Sequence, residues 1–394
     1  EHPAPAASAP PAQGSDAGPV RLHARAAALR IHLSTKGACV SEFPKSRPAV
    51  AALPAYIAGR KASGPDVAAL ASNESHFHPL PKVLDAIATA ADRVNRYPDM
   101  ASTSLRDRIA VDAGITADAV ALGPGSVGVL AQLVAAVCDP GDEVVFAWRS
   151  FEAYPILCQI AGAVPIKVPL TTDESHDLPA MAAAITDRTK LVLLCSPNNP
   201  TGTAISEGEL VDFLERVPSH VLVVLDEAYR EFVGESAPDV VQLIGSQYQN
   251  LCLLRTFSKA YGLAGLRVGY AIASVEIATG LRKTQLPFSV SNVAEAAAVA
   301  ALDSADEVGE RVATVIAERE RLLRSIRELG WVTPDSAANF VWLRCDEAER
   351  ERLVAAFDAA GILVRGYPGD GVRVTIADAV SNDRVLAVLA GFPR

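Results

Sequence analysis

An α/β protein with a mostly parallel central sheet, followed by a smaller α+β domain, is the fold class the sequence predicts. Three observations carry that expectation. From about residue 120, short β-branched runs alternate with amphipathic helical stretches, as βαβ units do. The turn Asp139-Pro-Gly-Asp142 separates a helix over about 126–138 from the first clear strand. Beyond about 293 the pattern changes to one long helical stretch and then short strands. With 394 residues, half of them hydrophobic and 21% charged, the chain can bury a large core and is too long for one small module.

Residues 1–19 hold 15 Ala, Pro, Gly or Ser, too little apolar surface to offset the entropy of ordering, so disorder is expected there. Residues 20–37 carry Arg21, Arg25, Arg30 and Lys36 with no acidic residue and no apolar h-region. With no initiator Met, a disordered extension or misplaced start is expected rather than a targeting segment. Strands are predicted at Glu143–Trp148, Val164–Val168, Lys190–Cys195, Val221–Leu225, Asn250–Leu254 and Arg267–Ile272. The Ala-, Glu- and Arg-rich stretch Ala294–Glu328 reads as one helix, its charged residues from 310 onward forming a solvated face. Strands follow near Phe340–Leu343, Ile362–Arg365 and Val372–Ile376.

Charge and cysteine usage narrow the partners. Lys plus Arg number 36 against 46 Asp plus Glu, a net charge of −10, which argues against a dedicated nucleic-acid binder. No apolar run approaches the roughly 20 residues of a membrane span. The six cysteines, at 39, 138, 158, 195, 252 and 345, form no CxxC pair and lie mostly in apolar stretches, so a reduced, cytoplasmic protein with buried thiols is expected.

In open α/β sheets, ligands bind beyond the carboxyl ends of the strands. Four polar stretches stand there: Gly123-Pro-Gly-Ser-Val-Gly128, Ser196-Pro-Asn-Asn-Pro-Thr-Gly202, Asp226-Glu-Ala-Tyr229 and Arg255-Thr-Phe-Ser-Lys-Ala-Tyr-Gly-Leu-Ala-Gly-Leu-Arg267. Each alone reads equally well as a turn or a helix start. Together they supply an anion cradle, a carboxylate at the end of a buried strand, a phenol, an amide, and a lysine flanked by hydroxyls and an arginine. That set suits pyridoxal phosphate (PLP), which needs a lysine, a carboxylate to keep its ring nitrogen protonated, donors to its phenolic oxygen and a phosphate cup.

On these motifs, over about residues 50–390, the chain resembles the fold-type I PLP-dependent aminotransferases of class II, in the histidinol-phosphate aminotransferase subfamily. The most specific stretch is Thr256–Arg267, with Asp226 lying 33 residues before Lys259. Leu70-Ala-Ser-Asn-Glu74, Trp148-Arg-Ser-Phe-Glu-Ala-Tyr154 and the run Arg255–Tyr270 look most like the actinobacterial aromatic (phenylalanine) aminotransferases. The resemblance implies a three-layer fold. It divides the chain into an extension over 1–40, an arm over 41–78 joining the small domain, a large PLP-binding domain over 79–292 and a small domain over 293–394.

Carried onto this sequence, the resemblance makes Lys259 the residue that holds PLP covalently and moves the substrate proton. Asp226 pairs with the ring nitrogen, and Tyr229 and Asn199 donate to the phenolic oxygen. Ser126, Val127, Thr256, Ser258 and Arg267 hold the phosphate, and Phe151 stacks on the ring, where many relatives have Tyr. Arg373 takes the substrate α-carboxylate through two parallel hydrogen bonds. Tyr97 reaches the phosphate of a neighbouring subunit, which implies a homodimer. Tyr56 and Arg365 line the side-chain pocket, and Asn73 and Asn339 are lesser contacts.

The activity so implied is ping-pong transfer of an amino group from phenylalanine, tyrosine or tryptophan to a 2-oxo acid. The alternative keeps the chemistry and changes the substrate to histidinol phosphate, with Arg365 as its phosphate partner; Arg365 could equally cover an aromatic ring. Decarboxylation on the same scaffold is a second class. A PLP-binding regulator is a third, for which residues 1–49 are too short and too poorly patterned to form a DNA-binding winged helix. His76 and His78 form an HxH pair with no further ligands nearby, so a surface or pocket-rim role is expected and no metal. Ser150 and Ser196 lack His-Asp partners, which leaves a serine hydrolase unsupported.

Overall fold

The computed structural model describes residues 44–53, 66–234 and 237–393. Its centre is a seven-stranded sheet. After a two-residue β1 (Ala68–Ala69) come β2 (Val120–Gly123), β3 (Glu143–Trp148), β4 (Val164–Pro169), β5 (Thr189–Cys195), β6 (Leu222–Asp226), β7 (Leu251–Thr256) and β8 (Gly269–Ile272). Their order across the sheet is β2-β8-β7-β6-β5-β3-β4. All neighbours are parallel except those of β8, which runs antiparallel to both β2 and β7.

Side-chain alternation explains why the strands read as continuous apolar runs. Val145, Ala147, Val192, Leu194, Val223, Leu225 and Leu253 enter the core on one face. Their neighbours Val144, Phe146, Leu191, Leu193, Leu222, Val224 and Leu254 enter the core on the other, against the helix Gly125–Val137. Helices cover both faces, so almost every position on the central strands is buried. The strand order reverses its winding between β3 and β5, and the crevice at such a reversal is where this class of sheet binds ligands.

A second sheet is antiparallel, in the order β11 (Arg365–Tyr367), β12 (Gly371–Thr375), β9 (Phe340–Arg344). Between β9 and β11 lies β10 (Ile362–Leu363), which pairs in parallel with β1 and so ties residues 68–69 to this part of the chain. The core here joins Phe340, Leu343, Val372 and Val374 to Leu322, Leu323 and Ile326 of a long helix and to Phe357.

Two expectations for the helical stretch are corrected. It is two helices, Asn292–Leu302 and Ala305–Glu328, interrupted at Asp303 and Ser304. The Ser304 hydroxyl donates back to the Ala300 carbonyl (2.8 Å), and Asp306 and Glu307 open a new first turn, where acidic side chains suit the helix dipole. Nor is the charged face wholly solvated. Arg319 is 6% exposed and donates to the carbonyls of Phe232 (2.9 Å) and Ala338 (3.2 Å), stitching the helix to a short 3-10 turn and to a loop. Among the described residues no helix is long and apolar enough to cross a membrane, and the five described cysteines are free.

Candidate active site

Beyond the carboxyl ends of β5, β6 and β7 lies a cavity of about 450 Å³. Of the residues singled out in the sequence it gathers Asn73, Ser126, Val127, Phe151, Asn199, Asp226, Tyr229, Thr256, Ser258, Lys259, Arg267, Arg365 and Arg373. Two others fall elsewhere. Asn339 is buried and donates to the Asn73 carbonyl (3.1 Å) without lining this cavity. Tyr97 is 82% exposed and stacks on Phe288 at 4.6 Å. Tyr56 lies outside the described residues.

Asp226 ends β6, which delivers a carboxylate to the cavity floor. Its Oδ2 accepts from the Tyr154 hydroxyl (2.8 Å), while Oδ1 is buried with no partner. A buried acceptor left unpaired is costly, and a ligand N–H would relieve it. Burial raises the Asp226 pKa to about 6, opposed by the Tyr154 hydrogen bond. Lys259 stands in the turn after β7, and its Nζ donates to the Ser72 carbonyl (3.0 Å). Burial, reinforced by the positive charge of Arg373, lowers its pKa to about 7. The cavity thus sets a carboxylate and an amine that each titrate near neutrality along one wall, the combination expected where proton transfer is the chemistry.

At one end of the cavity the helix Gly125–Val137 begins beside Thr256, Ser258 and Arg267. Thr256 Oγ1 donates to Ser258 Oγ (3.0 Å), and Arg267 Nη1 reaches the same hydroxyl at 3.4 Å. Two glycines make the close approach possible. A Cβ on Gly125 would overlap the Arg267 guanidinium, and one on Gly269 would overlap the backbone nitrogen of Ser126. Backbone N–H groups, two hydroxyls and a guanidinium make a cup for a dianion.

At the opposite end, Arg373 on β12 is buried. Its Nη1 donates to Asn199 Oδ1 (2.5 Å) and the Tyr367 hydroxyl (2.9 Å), and its Nη2 to the Ala71 carbonyl (2.6 Å). Nε is buried without a partner. With Nη1 fully used, Nε–H and the second Nη2–H remain for a carboxylate. Since Asn199 Oδ1 is engaged, its amide nitrogen is the donor left over.

The strand of chain through Leu70–Glu74 completes the wall. Asn73 adopts a left-handed conformation (φ 55°), which an Asn tolerates better than most residues. Its Nδ2 donates to the Tyr229 hydroxyl (2.9 Å) and its Oδ1 accepts from Thr375 (3.1 Å). Burial pushes the Tyr229 phenol up, so it stays a hydrogen-bond donor. The ring of Tyr229 meets Phe340 edge-on at 5.1 Å, which holds it in place.

Sequence reasoning missed Glu152, Tyr154, Cys195 and Tyr367. Tyr154 follows Phe151 by one helical turn, and the two rings meet edge-on at 5.6 Å. Tyr367 was accessible to strand alternation, since on β11 it shares a face with Arg365. The Cys195 thiol lines the cavity, its pKa pushed up to about 12 by burial and then by Asp226. Among the described residues no three His, Cys, Asp or Glu side chains gather as metal ligands do.

A mostly parallel sheet of this order, with an acid and an amine beyond its carboxyl edge and an anion cup beside them, defines a fold-type I transferase. The chain belongs to the aminotransferase class I and II family, whose model matches residues 65–389. It is an enzyme that passes an amino group between amino acids and 2-oxo acids. The aromatic amino acid aminotransferase of Streptomyces avermitilis is 51% identical over 352 residues, covering 89% of this chain and 98% of the relative. That of Thermobifida fusca is 52% identical over 354 residues, with the same coverage. Among solved structures, histidinol-phosphate aminotransferase from Sinorhizobium meliloti in complex with pyridoxal-5'-phosphate matches with a TM-score of 0.81 and 30% identity, covering 89% of this chain and 98% of that one.

Proposed function

We propose that this chain is an aromatic amino acid aminotransferase that works with PLP held covalently on Lys259. The observation that carries the cofactor is the unpartnered, buried Oδ1 of Asp226 in the same cavity as the Lys259 amine. It suits a protonated ring nitrogen, and the cup around Ser126, Val127, Thr256, Ser258 and Arg267 suits a phosphate. Bound there, PLP would supply an electron sink for the bond-making at the substrate Cα. Tyr229 and Asn199 would donate to its phenolic oxygen, and Phe151 would stack on its face. Lys259 would carry the proton at Cα, while Arg373 fixes the amino acid by its carboxylate.

Relatives at 51–52% identity support the aromatic substrate, against 30% for the histidinol-phosphate enzyme of like fold. The test is kcat/KM for phenylalanine and for histidinol phosphate on one preparation. Phenylalanine is expected to win, and a tenfold preference for histidinol phosphate, about 1.4 kcal/mol, would reverse the assignment.

A pH prediction follows from the buried amine. The neutral form is the nucleophile, and above its pKa of about 7 Lys259 is mostly neutral. Uptake of PLP by the cofactor-free chain is expected to quicken as pH rises through about 7 and then level off. A uptake rate that is flat, or falls, across that range would show that this amine does not limit capture.

The active unit we infer is a homodimer in which Tyr97 reaches the neighbouring phosphate, supported by its 82% exposure and its place outside its own cavity. Residues 79–292 form the cofactor-holding domain and 293–394, with the arm over 41–78, the small one. The two sheets support this division, their strands falling within 120–272 and 340–375. The expected extension over 1–40 lies outside the described residues. A cytoplasmic setting suits the free thiols.

A further inference from the structure

Glu174 stands in the turn between β4 and the helix Leu178–Ala183 and does not border the cavity. It is 6% exposed, and its backbone is left-handed (φ 69°), a conformation that costs a glutamate free energy and persists only where the surroundings demand it. Its carboxylate crosses to the small sheet. Oε2 accepts from the Trp342 indole N–H (2.8 Å) and Oε1 from Arg344 Nη1 (3.0 Å), both on β9. Its backbone carbonyl accepts from the Thr203 hydroxyl (3.0 Å), and the Thr203 carbonyl closes the loop that carries Asn199 by accepting from the Asn198 N–H (2.7 Å).

Trp342 carries this contact to the substrate anchor. On the small sheet it lies directly opposite Arg373, while Arg365, on the other side of Arg373, donates to Glu152 (2.8 Å). The indole is 1% exposed and meets the Tyr367 ring edge-on at 5.5 Å. A Cβ on Gly371, the residue paired with Tyr367, would overlap the indole, so the ring keeps its place only over bare backbone. The Tyr367 hydroxyl in turn accepts from Arg373 Nη1 (2.9 Å) and donates to Asn199 Oδ1 (3.3 Å). One carboxylate outside the cavity therefore fixes the indole, the indole fixes the phenol, and the phenol sets the angle of the guanidinium. A two-bonded grip on a carboxylate depends on that angle, and it is held by supporting contacts of this kind.

We propose that Glu174 is a positioning residue for the Arg373 guanidinium, acting through Trp342 and Tyr367 on how tightly the substrate carboxylate is held. The proposal rests on the assignment of Arg373 to that carboxylate and adds the residue that aims it. Glu174→Ala removes the acceptor, whereas Glu174→Gln keeps an oxygen for the indole N–H. In the holoenzyme, Glu174→Ala is expected to raise KM for phenylalanine about tenfold while kcat stays within about threefold of wild type. Glu174→Gln should stay within about threefold in both.

Calorimetric titration of 3-phenylpropionate, a carboxylate with no amino group to react, into the holoenzyme reads the grip without turnover. Its Kd is expected to weaken about tenfold in Glu174→Ala and to recover in Glu174→Gln. A double-mutant cycle separates aim from general loosening. In the Arg373→Lys background, Glu174→Ala should change KM for phenylalanine less than about twofold, because no guanidinium is left to aim. An unchanged KM and Kd in Glu174→Ala would overturn the proposal, as would an equal loss in the Arg373→Lys background or a Glu174→Gln variant as impaired as Glu174→Ala. A fall confined to kcat, or a parallel loss of bound PLP, would overturn it too. Should Glu174→Ala not fold, Glu174→Gly takes its place, since glycine adopts the left-handed backbone without strain and lacks the same carboxylate. Arg373→Lys alone tests the carboxylate reading, while the cycle tests Glu174, so the two can fail separately.

Discussion

Lys259→Ala is expected to abolish transamination, with kcat falling by at least about 10⁴-fold. Positioned proton transfer alone contributes roughly 10²–10⁴, and the lysine is also assigned the covalent hold on the cofactor. The amine sits where its loss cannot be made good, since burial and Arg373 lower its pKa to about 7 and no other lysine borders the cavity among the described residues. Two measurements check it: single-turnover rates with phenylalanine, and mass spectrometry after borohydride reduction. The second should find a cofactor mass on the wild-type chain and none on the variant. Retention of a tenth of the activity, or a reducible adduct on another residue, would remove Lys259 from its assigned role.

Arg373→Lys comes next in size. The guanidinium serves Asn199, Tyr367 and Ala71 and keeps Nε–H for a guest, whereas an ammonium has three donors in all and no planar fork. Losing one member of a buried, hydrogen-bonded charge pair costs about 2–4 kcal/mol, so kcat/KM for phenylalanine should fall roughly 30- to 1000-fold. The loss should appear mainly in KM, as expected for an interaction made in ground and transition states alike. An unchanged thermal midpoint and PLP content would show that the fold survives. A variant with near wild-type KM would mean that the substrate carboxylate is held elsewhere.

How much of this was legible beforehand depends on the range of the interaction. The strands β3, β5, β6 and β7 were readable because burial on both faces writes an almost unbroken apolar run into the local sequence. Asp226, Asn199 and Lys259 were readable because they follow such runs directly. The break at Ser304 left a trace that was passed over: Ser304-Ala-Asp-Glu307 has the spacing of a helix start, although the serine hydroxyl turned out to bond backward. Arg319 misled because a charged residue on a helix reads as solvated, and the carbonyls of Phe232 and Ala338, distant in sequence, supply its buried acceptors. Glu152 and Arg365 are 213 residues apart, and nothing local in either segment announces the other. Tyr154 was hidden in the same way, since its partner Asp226 lies 72 residues on.

The carbonyls of Ala71 and Ser72 belong to adjacent residues, and they hold the Arg373 guanidinium and the Lys259 amine respectively. The anchor for the incoming acid and the reactive nitrogen therefore hang from one short length of main chain, like two weights on a single cord. A substitution that displaces this short length of chain would therefore disturb both groups at once.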